Sequence, residues 1–72
     1  MDKSNVMEYI ENIYGLASNY LKNNSSLKLK ELLEHIEKLE DNIIECDDDI
    51  KYNEYKIQLY KICSEIEAII DE

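Results

Sequence analysis

His35, Cys46 and Cys63 are the residues most readily put to catalytic use, and they sit among a dense supply of carboxylates. A thiol beside an imidazole can be an activated nucleophile. If the chain folds back on itself near Asp48, an antiparallel hairpin sets His35 level with Cys63. Nothing around the pair suggests a third group to orient the imidazole, or an oxyanion site. A small helical core also leaves little room for substrate. The pair therefore reads as a core cysteine beside a boundary histidine. By the same geometry Cys46 lies near Tyr52 and far from Cys63, so no internal disulfide is expected.

The acids Glu45, Asp47, Asp48, Asp49 and Glu54 raise the question of Ca²⁺. They lack the alternating ligand spacing and the glycine of an EF-hand loop. One histidine and two separated cysteines make no zinc pattern. A di-iron Glu-x-x-His motif would need a glutamate three residues before His35, and that position is Leu32. No catalytic residue, metal site or cofactor is expected, and the chain reads as a non-enzyme.

The tyrosines carry more information. Tyr9, Tyr20, Tyr52 and Tyr55 fall on apolar stripes and read as core or core edge. Tyr14 and Tyr60 project to the flanks. Beside carboxylates they would form an acidic, aromatic patch suited to Lys- or Arg-rich surfaces. The candidate partner-binding residues are Glu31, Glu34, Glu37, Asp41 and Glu45, with Tyr14 and Tyr60. Glutamates at helical spacing are ordinarily just a solvated face, so the reading needs support from elsewhere.

Three elements must position these residues. The most regular stretch is 29–50, where Leu29, Leu32, Ile36, Leu39, Ile43, Cys46 and Ile50 recur at alternating spacings of three and four. That is the pattern of one amphipathic helix. Before it, Val6, Tyr9, Ile10, Ile13, Leu16, Ala17, Tyr20 and Leu21 mark a helix over about 5–23. Asn5 and Glu8 resemble a capping box at its start. Gly15 lies on its polar side and reads as a tolerated exposed glycine. Residues 23–26, two asparagines and two serines, form a loop, with Ser25 or Ser26 as the next N-cap.

After the three aspartates at 47–49 a second stripe begins: Tyr52, Tyr55, Leu59, Ile62, Ile66 and Ile69. It is offset by two residues from the first, about 200° around a straight helix. Coiled coils absorb insertions of three or four residues, not this offset. A turn at 47–49 resolves the conflict, with Asp48 or Asp49 capping the third helix. The alternative is one continuous helix whose halves face different partners. The expected fold is all-α: an antiparallel three-helix bundle with helices over about 5–23, 26–46 and 49–70, in a single domain spanning 1–72. Ile50, Ile57 and Tyr60 lie off the main stripe of the third helix. They predict self-association, as a homodimer, or a partner groove.

Composition bounds the function. The formal charge is -9, and every cationic residue is Lys. A field of this sign repels nucleic-acid backbones and anionic membrane surfaces, so neither is an expected direct partner. It favours basic proteins, including nucleic-acid-binding faces, though it also serves plain solubility. Residues 1–8 carry acids and no apolar leader core, and two cysteines make no disulfide framework. The cytoplasm is the expected location. The function expected is that of a small acidic inhibitor occupying a basic surface of a target protein. Antitoxins, immunity proteins and phage-encoded anti-defence proteins share this size and charge, although no motif assigns the chain to a family. The alternative is a structural or adaptor homo-oligomer acting as a scaffold.

Overall fold

A computed structural model describes residues 2–71; Met1 and Glu72, the ends of the expected domain, lie outside the described residues. Three helices, α1 (Ser4–Asn23), α2 (Leu27–Glu45) and α3 (Asp49–Ile70), form a three-helix bundle. It measures 39 × 17 × 17 Å. The start of α1 meets the end of α2 and the start of α3, so α1 runs antiparallel to α2 and parallel to α3. Among the described residues, no helix is long and apolar enough to cross a membrane.

Both turns are set by local chemistry. Ser26 is the N-cap of α2, and its hydroxyl accepts from the Leu29 N–H at 3.1 Å. Asp48 caps α3, its Oδ1 accepting from the N–H groups of Ile50 at 2.8 Å and Lys51 at 3.4 Å. The chain therefore breaks at 46–48, as the stripe offset requires, and the continuous helix is not formed. The capping box at Asn5 and Glu8 is not formed either. The helix already begins at Ser4, and the Ser4 N–H donates to the Asp2 carboxylate at 2.9 Å. That bond to the backbone N–H draws the Asp2 carboxyl below its ordinary pKa.

The core joins Val6, Ile10, Ile13 and Ala17 of α1 to the Leu29, Leu32, Ile36, Leu39, Ile43 stripe of α2. Tyr52, Leu59, Cys63 and Ile66 complete it from α3. Two members of the expected stripes drop out: Ile50 is 72% exposed and Leu16 49% exposed. Ile50 follows the break, so it inherits the orientation of α3 and not of α2. On α3 the buried line passes through Cys63, while Tyr55, Ile62 and Ile69 are half-buried. This helix packs on α1 and α2 at once, and its deepest residues point between the two.

One tether was not legible as a helix signal. The Lys3 ammonium donates to the carbonyl oxygens of Ile44 at 2.8 Å and Cys46 at 2.7 Å. It supplies the cation that the last turn of α2 lacks, where unpaired carbonyls carry partial negative charge. The Tyr52 hydroxyl donates to the Asp2 carbonyl at 3.1 Å and pins the same end of α1 to α3.

Removing the ammonium in Lys3→Met is expected to lower the unfolding free energy by about 1 kcal/mol, read by urea denaturation. Gly15 is exposed, and an added Cβ would meet nothing within 4 Å. Gly15→Ala should therefore raise the unfolding free energy by about 1 kcal/mol in the same assay.

Candidate functional site: the acidic face of α2

The five expected carboxylates, Glu31, Glu34, Glu37, Asp41 and Glu45, are all exposed, on the side of α2 away from its buried stripe. From Glu31 to Glu45 they span about 21 Å of helix axis. The surrounding charge is lopsided. Residues 31–49 hold nine of the seventeen acids and one of the eight lysines, so this segment carries -8 of the net -9. Glu40, Asp47, Asp48 and Asp49 thus belong to the same field. Counting charge in windows along the chain would have found them.

The direction of charge along α2 is unfavourable for folding. A helix favours anions at its N-terminus and cations at its C-terminus, by about 0.3–1 kcal/mol each. The first turn of α2 contains Lys28 and Lys30 and no acid, and its last turn ends in Glu45 with no base. Asp48 and Asp49 are accounted for as the cap and first turn of α3. Asp41 and Glu45 receive no such account from the fold. Between the last turn of α2 and the start of α3 lies an open concavity of about 280 Å³, lined by Asn42, Glu45, Asp47, Asp48, Lys51 and Tyr55, with Cys46. The Cys46 thiol donates there to the Asp48 carbonyl at 3.2 Å.

The two flank tyrosines separate. Tyr14 lies where α1 meets α2, in the field of Glu40, Glu37 and Asp41. Its ring is half-buried and its hydroxyl is buried without a hydrogen-bond partner among the described residues, not presented at the surface. Loss of water, and then these carboxylates, push its pKa up to about 12. Tyr60 sits at the α1–α3 seam against Tyr9, 5.4 Å between ring centroids and nearly perpendicular. Tyr14 and Tyr60 therefore do not share one acidic, aromatic patch. The expected self-association residues Ile50, Ile57 and Tyr60 are all exposed on α3.

His35 and Cys63 are not assembled as a dyad. His35 is exposed, whereas Cys63 is fully buried. Burial, with the Glu67 carboxylate adding to it, pushes the Cys63 thiol up to about 11, opposite to the shift an activated nucleophile needs. Both cysteines are free thiols. Among the described residues no group of three or more His, Cys, Asp or Glu side chains converges as a metal site. Comparison of the chain with protein-family models, curated proteins and solved structures gives no match.

The raised values have a defined sign. Folding holds the Cys63 and Tyr14 protons more tightly than the unfolded chain does, from ordinary values of 9.0 and 10.0. The stability these two groups contribute is fully present below pH 9 and is lost as pH rises through both folded values. Tyr14→Phe removes the unpartnered hydroxyl. It should leave stability at neutral pH unchanged or higher by up to about 1 kcal/mol, and should flatten the alkaline loss above pH 10. Denaturant titrations at stepped pH measure both.

Proposed function

We propose that the protein is a small non-enzymatic inhibitor whose α2 face occupies a basic surface of a target protein, in competition with a nucleic-acid backbone. The observation that carries this reading is the reversed charge order of α2, with Lys28 and Lys30 at its start and Asp41 and Glu45 at its end. Carboxylates added only for solubility could stand anywhere on the surface. Glu45 stands in the last turn of α2, where it destabilises the helix, with Asp41 just before that turn. Natural proteins tend to break such local rules at functional sites.

The geometry suits the role. Glu31, Glu34, Glu37, Asp41 and Glu45 occupy about 21 Å of a rigid helix, a length over which one strand of a duplex carries about six phosphates. A Lys- or Arg-rich groove can be drawn to such a row by long-range attraction and held in register by its spacing. Antitoxins, immunity proteins and phage-encoded anti-defence proteins are the functional classes this proposal points to. The free thiols support a cytoplasmic site of action.

A structural homo-oligomer that scaffolds other chains is a second reading, supported by exposed Ile50 and Ile57 on α3. It differs in one respect: charge on α2 is then dispensable.

Affinity capture from the native host with the wild-type chain and with a Glu34→Lys, Asp41→Lys, Glu45→Lys variant separates the two. The inhibitor reading expects a basic protein retained by the wild type alone. Its affinity should fall by about tenfold or more between about 0.1 and 0.5 M NaCl. The same proteins on both columns, or binding indifferent to salt, would sink it.

A further inference from the structure

Each pair of helices packs together, so the outer side of the α2–α3 seam faces away from α1. Two concavities open along it. The first is the one beside the chain reversal, where Glu45, Asp47 and Asp48 stand against Lys51. The second, about 420 Å³, is lined by Gln58, Lys61, Ile62 and Glu65 of α3. They are in line. Tyr55 of the first and Gln58, Ile62 and Glu65 of the second are spaced by three, four and three residues, one row on a helix. Tyr55 and Ile62 are half-buried against the core, so the row has an apolar floor. The two ends differ. Carboxylates dominate the first concavity, whereas Lys61 and Glu65 cancel beside Ile62 in the second. From Lys51 to Ile62 the row runs about 16 Å.

We infer that this seam receives a helix of the target, with arginine or lysine over the first concavity and an aliphatic side chain over the second. The inference rests on the inhibitor reading and names the part of the basic target that is held. A groove between two packed helices suits the apolar face of another. A helix returns to the same face after about eleven residues, which is also about 16 Å. One face of the target's helix therefore meets both concavities at once. Charge selects the occupant. Glu45, Asp47 and Asp48 attract a guanidinium, and the Tyr55 ring in the same concavity offers it an aromatic surface. A nucleic-acid strand is repelled by these carboxylates. A second copy of the chain, at -9, brings like charge. An apolar helix without cations would strip the carboxylates of water and leave them unpaired.

Amide NMR of the full chain tests it with synthetic peptides of about 16 residues, Ala-rich so that they favour helix. One carries a pair of arginines and, about eleven residues on, a leucine. A second moves the leucine by two residues, about 200° around the helix. The first peptide is expected to give saturable shifts at Asn42, Tyr55, Gln58 and Ile62, and the second to bind about tenfold more weakly. Asp47→Asn and Gln58→Lys, both at exposed positions, should each weaken the first peptide by about threefold or more. Glu34→Gln, on the outer face of α2, should change it by less than about twofold. Circular dichroism checks that the variants stay helical. Equal affinity for the two peptides, or shifts centred on Glu31 to Asp41, would overturn the inference and leave the inhibitor reading standing, with charge alone as the attraction. No saturable shift by about 1 mM peptide would overturn it as well. Failure of the inhibitor reading shows elsewhere, in an affinity capture that retains no basic protein.

Discussion

Everything in this bundle depends on the chain reversing at 46–48. The apolar residues before and after that point face directions about 200° apart on a straight helix, and no single core can collect both. Asp48 makes the reversal by accepting the first N–H groups of α3, at 2.8 and 3.4 Å. The Cys46 thiol bonds across the turn, and the Lys3 ammonium gathers the carbonyls that α2 leaves open. With the turn in place, Ile43 and Leu59 enter one core together and α1 has a groove to fill. Without it, two amphipathic halves would each need a separate partner.

The same place concentrates a conflict between folding and display. The aspartates that start α3 well stand just after the end of α2, where anions are unwelcome. Lys3 relieves this from a distance of more than forty residues in sequence. The acidic segment is thereby carried on a fixed helix and not on a loose tail. Its carboxylates keep their spacing whatever approaches them. Meanwhile the seam between α1 and α3 is closed by Tyr9 against Tyr60, on another side of the bundle from the α2 carboxylates.

Much of this architecture was legible in the sequence, because periodicity reports burial directly. Leu29, Leu32, Ile36, Leu39 and Ile43 were readable as a buried stripe, and the offset to Tyr52 and Leu59 revealed the turn. What escaped was set by contacts distant along the chain. Nothing in the neighbourhood of Lys3 indicates that its ammonium caps α2. Tyr14 was placed on a flank, yet its hydroxyl is closed off where α1 and α2 meet. Leu16 fits the α1 stripe by spacing, but the bundle is too narrow to cover it. Cys63 was readable as a core cysteine, but that it lies deeper than Ile62 was not, because α3 faces two neighbours and a stripe read for one cannot show that. On the candidate site, the five carboxylates were visible. The backward charge order of α2 was equally visible, but emerges only when charges are set against helix ends.

The Lys3 tether also has to be held by something other than itself. It joins residues 41 and 43 apart, whereas the Asp48 cap spans two or three. Closing the longer loop costs about 2 kcal/mol more in chain entropy, which is more than a typical hydrogen bond returns. The packed apolar faces of α1 and α2 bring the ammonium to its carbonyls, so the tether is a latch on a bundle that packing has already closed.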